Sequence, residues 1–445
     1  MPRYDVAVVG AGWSGLAAAF YLSQHGMRVL LLEAARRVGG RTFSFVHRPT
    51  GQVLDNGVHV LLGLCDQFQT LLDAAGLTNA TRYQPLLDVP VASAEGPAWI
   101  RSAPLNGAAH LMGSIVSYPL LTPSERVSAL WAGLRIERLK QADRWDAFSW
   151  GDWLRNARQG SRAQRYLWDA IGTGVLNAHA NDVSAALALK TFQLLLRGGW
   201  RGARLGLFGR PLSDIVEELK NRLIDQNVTI RLGEEVKALE VEAGSVTALV
   251  GSERYPVPHV VMAIPPKRLA EILQHSALPA PVSLAPFAVS PILNVYLFFD
   301  QKIWPHDFML LPDDWGAMVF NRTRLLPSMD QTRDTLAVSI SAANMLRGGT
   351  ASEVATAVTT RVRARLGLPA PEHIQAVWQP EATFLARPGS ESMRPGPETP
   401  IRGMVLAGDW TGTGWPACLE GAVRSGRTAA QVCLGLGEPQ ALTLP

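Results

Sequence analysis

Apolar and polar positions alternate along this chain in blocks that predict an α/β protein. Residues 4–9 form a β-branched run that predicts a buried strand, and residues 16–22 consist of strong helix formers. Residues 27–32 then predict a second buried strand. Because strands and helices that alternate in this way are typical of α/β folds, we expect that class from the first residues onward.

Later blocks predict further elements. Helices are predicted from residue 124, over 150–166 and 184–197, from 211, and over 351–366; strands are predicted over 228–232, 236–241, 246–250, 259–264, 292–299 and 335–340. We expect the strands 228–232 and 236–241 to pair, and the strand from residue 259 to stop at Pro265-Pro266. Ser213 or Asp214 is the expected cap of the helix that starts at Pro211.

A glycine-rich turn joins the first strand to the first helix. It reads Gly10-Ala11-Gly12-Trp13-Ser14-Gly15, and we name residues 10–15 the opening turn. Glycines at this spacing allow a tight turn and close approach of the backbone to a pyrophosphate, while the helix N-terminus offers N–H groups to the phosphates. Glu33, 18 positions after Gly15, suits adenosine ribose hydroxyls and would repel a 2′-phosphate. The sequence predicts a dinucleotide site.

An extension of the opening turn narrows the cofactor to FAD. Gly39-Gly40-Arg41-Thr42 follows Glu33, and this segment resembles the two-dinucleotide-fold flavoproteins of the amine oxidase and phytoene desaturase superfamily. The resemblance implies that the glycine backbone and the Arg41 side chain meet the pyrophosphate and flavin. It also implies that Val236 lies at an adenine contact and that the chain returns to the cofactor at Ala263.

The end of the chain carries a second glycine-rich segment, residues 403–426, which we name the closing segment. A strand ends there at Gly408-Asp409, and a helix begins near Leu419. In the superfamily that this segment resembles, the aspartate binds the ribityl and pyrophosphate part of FAD. Amides at the helix start can face the flavin and stabilise negative charge on its reduced form.

Contacts with FAD are therefore predicted, from the motif and from the resemblance, at Gly10, Ala11, Gly12, Trp13, Ser14, Gly15, Glu33, Ala34, Arg36, Gly39, Gly40, Arg41, Thr42, Asn56, Gly57, Val58, His59, Val236, Ala263, Gly408, Asp409, Pro416, Ala417, Leu419, Glu420 and Ala422. The implied architecture is a Rossmann-like FAD-binding domain, interleaved with an α+β substrate domain and a helical subdomain. The expected FAD-binding pieces are 1–95, 206–266 and 391–445, with helical residues 96–205 and a substrate-binding sheet over 267–390.

Two stretches resemble one branch of the superfamily more closely. They are residues 54–63, Leu-Asp-Asn-Gly-Val-His-Val-Leu-Leu-Gly, and residues 406–426; a middle segment, 175–178, also matches. Together they resemble the hydroxysqualene dehydroxylases, FAD enzymes of bacterial squalene and hopanoid biosynthesis. The resemblance implies reductive removal of the hydroxyl of hydroxysqualene, with reduced FAD as hydride donor.

That chemistry needs a proton donor, a dry apolar pocket and no strong nucleophile near an allylic cation. Asp55 and His59, four positions apart, are the candidates for the acid and the group that orients it. His59 can equally be a packing or FAD-contact residue, and Asp55 a turn residue ahead of Asn56-Gly57.

Three alternatives share the cofactor motifs. A carotenoid (phytoene) desaturase-like enzyme would take a hydride from a polyene. A flavin amine oxidase typically has a tyrosine beside the flavin in an aromatic pair, whereas Cys418 stands at the corresponding position here, with Trp415 as the other half. A binding protein without turnover would tend to lose Glu33, Arg41 and Asp409, which are present.

Composition limits partners and compartment. The 445 residues suffice for two interleaved domains. The net charge of +4 comes mainly from arginine, without the aromatic-interleaved basic stripe of a nucleic-acid binder. Three cysteines show neither CxxC nor metal-ligand spacing, so we expect no metal and a reducing cytoplasm.

Neither a membrane span nor a signal peptide is expected from the sequence. A squalene-like substrate dissolves in membrane, so peripheral contact with the inner membrane is expected, with residues 108–140 as candidate. That candidate includes Met112, Ile115, Val116, Leu120 and Leu121 near Arg126, Arg135, Arg138 and Lys140; a solvated amphipathic helix would explain it almost as well. The sequence does not identify the electron donor.

Overall fold

A parallel sheet forms the core of the cofactor side. The computed structural model describes residues 4–280, 284 and 287–436. The five strands of this parallel sheet are, in spatial order, Thr229–Leu232, Val29–Glu33, Val6–Val9, His259–Met262 and Met404–Leu406. The helices Trp13–Gln24, Leu212–Asp225 and Leu419–Cys433 pack on it or beside it. A Cβ built on Gly426 would lie 2.1 Å from the Ser14 oxygen, so glycine permits the first and last helices to touch.

One strand pairing differs from the prediction. Thr229–Leu232 joins the edge of the parallel sheet beside Val29–Glu33 and does not pair with the following strand. Ala238–Glu242 instead pairs with Ser245–Val250, which also pairs with Arg254–Pro256. The turn at Gly233, with φ +72°, separates the two sheets. The prediction was wrong because adjacent strands in sequence were assumed to be adjacent in space.

A seven-stranded, mostly antiparallel sheet forms the second core. Its spatial order is His373–Leu385, Ala288–Phe298, Thr335–Ser341, Ala317–Asn321, Phe308–Leu311, Asp88–Ser93 and Gly96–Arg101. The helix Ala351–Leu366 packs against it and begins at a capping box between Thr350 and Glu353. The hairpin over 88–101 belongs to this sheet, so a domain boundary at residue 95 would divide it.

Helices fill most of the region between residues 109 and 203. They are Ala109–Ser117, Pro123–Arg138, Trp150–Asn156, Ser161–Ala163, Asp169–Leu176, Ala185–Arg197 and Gly199–Ala203, with a 3₁₀ turn at Ala142–Trp145 and a π-helical turn at Gln164–Trp168. The single helix predicted over 150–166 is interrupted at Arg158, where φ is +56°. Trp150 stacks on Trp153 at 5.0 Å and on Phe192 at 5.1 Å, which anchors the region by aromatic packing.

Short elements connect these parts. Ser44–Val46 pairs with Val53–Asp55, and Leu205–Phe208 pairs with both Val60–Leu62 and Thr81–Tyr83. The remaining helices are Asp66–Ala74, Pro266–His275 and Arg322–Leu325, with 3₁₀ turns at Thr78–Ala80, Ala343–Leu346 and Glu391–Met393. As expected, the strand His259–Met262 ends just before the two prolines, which start the next helix.

In the part of the chain that the structure describes, no helix is both long and apolar enough to cross a membrane. The division into FAD-binding, helical and substrate-binding domains stays a prediction. Parts of the predicted domains lie outside the described residues, namely residues 1–3, 281–283, 285–286 and 437–445.

Candidate functional site

The glycines of the opening turn are required for different structural reasons. A Cβ on Gly10, whose φ is +99°, would lie 2.5 Å from the Ala263 oxygen, and one on Gly15 would lie 1.8 Å from the Gly10 oxygen. Both positions are therefore required by the fold. A Cβ on Gly12 would meet no atom within 4 Å, although Gly12 caps the first helix without a side chain. The space over Gly12 is where a pyrophosphate can approach the helix N-terminus.

Glu33 lies at the end of the neighbouring strand, beside this turn. Its carboxylate accepts hydrogen bonds from the backbone N–H of Ala11 at 2.6 Å and of Ala35 at 2.8 Å. The segment leading to the buried Val236 runs next to it, since the N–H of Glu234 donates to the Glu33 oxygen at 2.9 Å. Ala34 and Arg36 are exposed. The structure thus places Glu33 next to the segment that leads to Val236.

The extension after Glu33 folds onto the opening turn. The N–H of Gly39 donates to the Ala11 oxygen at 2.8 Å, and the Trp13 indole donates to the Thr42 hydroxyl at 3.0 Å. A Cβ on Gly40 would lie 3.1 Å from the Cα of Gly12. These contacts place Arg41 directly beside the turn.

Arg41 and Asp409 join the two ends of the chain. Arg41 Nη2 lies 2.7 Å from Asp409 Oδ2, and the Asp409 side chain is only 9% exposed. The parallel strands that precede Gly10, Ala263 and Gly408 end at the same edge of the sheet, which is why Arg41 and Asp409, 368 positions apart in sequence, meet. Sequence reasoning missed Arg394, whose buried guanidinium donates to the Asp409 oxygen at 2.9 Å.

The closing helix begins at Cys418. Its sulfur accepts a hydrogen bond from the Gly421 N–H at 3.4 Å, and burial raises the pKa of Cys418 to about 12, so it is a neutral thiol. Pro416 is buried and Ala417 half-buried just before it, and the first turn contains Leu419 and Ala422.

Glu420 faces away from this edge. Its carboxylate accepts from the N–H groups of Phe68 at 2.8 Å and Gln67 at 3.2 Å, and pairs with Arg424 at 2.5 Å. Burial raises the pKa of Glu420 to about 7. Since the side chain links two helices, any cofactor contact at Glu420 is left to its backbone.

The arrangement suits FAD. It offers open space over Gly12, a helix start without a side-chain cap, a carboxylate at the adenosine end and the Arg41–Asp409 pair beside the turn. Among the described residues, no group of His, Cys, Asp and Glu side chains could hold a metal ion.

Asp55 lies at the centre of a buried polar cluster. Its Oδ2 is 2.6 Å from Arg322 Nη1, and the two side chains are 7% and 3% exposed. Its Oδ1 accepts from the Ser44 hydroxyl at 2.6 Å and from the Leu212 N–H at 3.0 Å. Both oxygens of Asp55 are therefore occupied by donors.

The same cluster caps the helix Leu212–Asp225. Besides Asp55, the hydroxyl of Ser44 accepts from the Ser213 N–H at 3.0 Å. The expected cap, Ser213 or Asp214, was wrong: no side chain of the helix's own first turn caps it. Residues about 160 positions earlier, brought there by the fold, satisfy these amides instead.

The segment after Asp55 is held from both sides. Asn56 Nδ2 donates to the Arg41 oxygen at 2.6 Å, and Asn294 Nδ2 donates to the Asn56 oxygen at 3.2 Å. A Cβ on Gly57 would lie 2.8 Å from that Asn294 nitrogen. The structure therefore joins the segment to Arg41, which is the cofactor side.

His59 is half-buried next to this segment. Burial lowers the pKa of His59, and its Nδ1 lies 3.0 Å from the Gly57 oxygen. A neutral ring donates from Nδ1 to that oxygen, which leaves Nε2 as an acceptor. Asp55, His59 and Arg322 line a cavity of about 20 Å³ whose other walls are Val58, Phe208 and four leucines.

Sequence reasoning missed Arg322 and Asn294. Asn294 is the single amide of a mostly apolar strand, and Arg322 follows directly after the mostly apolar strand Ala317–Asn321. A polar side chain in or beside a buried strand is a usable signal, because it needs a partner. The partner itself is not visible in the sequence.

Comparison with known proteins adds four findings. The family model described as flavin containing amine oxidoreductase matches residues 13–434. The chain is 29% identical to the hydroxysqualene dehydroxylase of Rhodopseudomonas palustris, over 97% of this chain and 99% of that protein. It is 28% identical to that of Sinorhizobium fredii, over 98% and 99%. A double mutant of putrescine oxidase matches with a TM-score of 0.75 at 19% identity, covering 97% of this chain and 99% of that one, which confirms the predicted fold.

Proposed function

The chain belongs to the flavin containing amine oxidoreductases and is an FAD-dependent oxidoreductase, and from that premise we propose that it removes the hydroxyl of hydroxysqualene to give squalene. The observation that carries the proposal is similarity over nearly the full length to two hydroxysqualene dehydroxylases. Such an activity belongs to bacterial squalene and hopanoid biosynthesis.

The reaction replaces a C–O bond by a C–H bond. The oxygen leaves as water with the electron pair of the broken bond and one added proton, and the carbon receives a hydride. Reduced FAD, when bound, supplies that hydride. The protein has to orient the allylic carbon, deliver the proton and exclude water and nucleophiles from the developing cation.

We assign proton delivery to His59 and positioning to Asp55. His59 Nδ1 contacts Gly57, so Nε2 is the ring atom available to the substrate. Because burial lowers the pKa of His59, its protonated form is a stronger acid than an ordinary imidazolium. Asp55 keeps Arg322 and the start of the helix Leu212–Asp225 in place.

The alternatives have weaker support, since a 15-cis-phytoene desaturase of Solanum lycopersicum is 24% identical, over 96% of this chain and 77% of that protein. An amine oxidase would be expected to have an aromatic side chain at position 418, where this chain has the half-buried thiol of Cys418. A phytoene desaturase-like enzyme would use the same cofactor contacts with the opposite direction of hydride transfer, so only a substrate test separates it.

The test uses the FAD-loaded protein, reduced with dithionite without oxygen and mixed with hydroxysqualene. We expect squalene to form as the flavin reoxidises. A His59→Phe variant should retain FAD but turn over at least about a hundredfold more slowly. Absence of squalene, together with rapid reduction of the oxidised flavin by phytoene or an amine, would overturn the proposal.

We also propose peripheral contact with an anionic membrane through the exposed apolar side chains of two adjoining helices, which we name the apolar face. Ala109–Ser117 exposes Met112 and Val116, and Pro123–Arg138 exposes Val127 and Trp131, the latter 68% exposed. Leu120 and Leu121, expected here from the sequence, are buried and play no part, and Ile115 is partly buried. Arg135 and Arg138 continue the exposed stripe and suit lipid phosphates.

A further inference from the structure

Arg322 has hydrogen-bonding capacity that the protein itself does not use. The residue is buried, and one of its nitrogens, Nη1, is held by Asp55 at 2.6 Å. Its Nε and Nη2 are also buried, and within the described part of the chain neither has a hydrogen-bond partner. The central carbon of the Arg322 guanidinium lies over the Tyr296 ring, 5.7 Å from its centre. Buried hydrogen-bond donors in native proteins are nearly always paired, so the two unpaired donors of Arg322 indicate a ligand.

The cavity beside Arg322 restricts the size of that ligand. Its volume of about 20 Å³ is enough for one water-sized group. Apart from Asp55, His59 and Arg322, its walls are apolar. The site therefore accepts a single oxygen atom attached to, or surrounded by, hydrocarbon.

Charge restricts the chemistry of the ligand further. The carboxylate of Asp55 compensates the guanidinium charge, so the pair as a whole is neutral. A carboxylate or phosphate would need an uncompensated cation and more space. A neutral hydroxyl or water needs only donors to its oxygen, which Arg322 provides through Nε and Nη2.

We propose that Arg322 binds the hydroxyl oxygen of the substrate through Nε–H and Nη2–H, and then the water that this oxygen becomes. The inference rests on the proposed function and names the residue that recognises the leaving group. As the C–O bond breaks, its electron pair moves to the oxygen, and two donors already aimed at that oxygen stabilise the growing charge. Arg322 gives up no proton; the proton comes from His59.

The test compares binding of hydroxysqualene and squalene to the oxidised FAD-loaded protein, which cannot turn either over. Arg322→Lys retains a cation for Asp55 but loses the forked donors. The matched control is Arg324→Lys on the same short helix, where the exposed arginine pairs with Asp307. The wild-type protein should bind hydroxysqualene about tenfold to a hundredfold more tightly than squalene. Arg322→Lys should bring this ratio near one, and Arg324→Lys should leave it unchanged.

Should Arg322→Lys fail to fold or to retain FAD, the double variant Asp55→Asn/Arg322→Met removes both charges together and makes the same prediction. A preference that survives in either folded variant would overturn the role of Arg322. Wild-type turnover of hydroxysqualene decides the proposed function separately: squalene formation with an unchanged binding ratio in Arg322→Lys would sink only this inference.

Discussion

At the scale of single residues, the two glycines Gly12 and Gly15 have opposite reasons for lacking a side chain. Gly15 touches the protein's own backbone, whereas Gly12 faces open space at a helix N-terminus. The spacing of the glycines predicted a dinucleotide site, and the resemblance carried by residues 39–42 narrowed the cofactor to FAD, which the family match confirms. Glycine spacing was not sufficient to show which glycine serves the fold and which one faces open space.

This difference predicts two distinct outcomes of the same substitution. Gly12→Ala should leave the fold intact but reduce FAD content severely, because the methyl group occupies the space of the pyrophosphate. Gly15→Ala should destabilise the protein itself. Flavin absorbance per protein and thermal unfolding of the apoprotein separate the two effects.

The control is Gly113, which is exposed in the helix Ala109–Ser117. Gly113→Ala should lower neither the flavin absorbance per protein nor the temperature of thermal unfolding. If Gly12→Ala retained FAD like the wild type, the pyrophosphate would not lie on the opening turn.

At the scale of elements, helix starts were predictable where the cap is a neighbour in sequence. The helices Pro123–Arg138 and Ala185–Arg197 are capped by Thr122 and Ser184, which lie within a residue or two of the expected helix starts. The helix Leu212–Asp225 differs because its cap comes from Ser44 and Asp55. Only packing of the two segments could reveal that cap.

The distant cap predicts where the stability of this helix resides. Ser44→Ala removes hydrogen bonds to Ser213 and Asp55 and should cost about 1–2 kcal/mol in the free energy of unfolding. Asp214→Asn, at the exposed position once expected to cap, should cost less than about 0.5 kcal/mol. Denaturant unfolding measures both values. Equal losses, or a larger loss for Asp214→Asn, would contradict the assignment.

At the scale of the whole molecule, the apolar face is the feature that the cofactor and the core do not explain. Its side chains Met112, Val116, Val127 and Trp131 are exposed on two packed helices, and cations follow along one of them. A substrate that dissolves in membrane gives such a face a purpose.

Membrane contact predicts that the double variant Met112→Ser/Trp131→Ser loses most of its co-sedimentation with phosphatidylglycerol vesicles while keeping its flavin. Binding of the wild-type protein should fall with added salt and be weak on phosphatidylcholine vesicles. Ile224→Ser, which removes an exposed apolar side chain on another helix, should bind as the wild type does. Equal binding of both variants would remove the apolar face from the proposal.

The sequence by itself determined the cofactor, the fold class and the order of most elements. These depend on local patterns, such as glycine spacing in the opening turn and apolar periodicity, which neighbouring residues are enough to produce. The branch of the family followed from short motifs of the same kind. These features depend on interactions between residues close in sequence, so they could be predicted without the tertiary structure.

Tertiary structure alone decided the partners of the buried charges. Arg322 meets Asp55 across 267 positions, and Asn294 meets Asn56 across 238. Burying a charge or an amide is costly until a partner is found, and the fold, not the sequence distance, determines which partner is within reach. For the same reason the positioning role that we propose for Asp55, and the leaving-group site that we propose beside Arg322, depend on contacts that only the fold supplies.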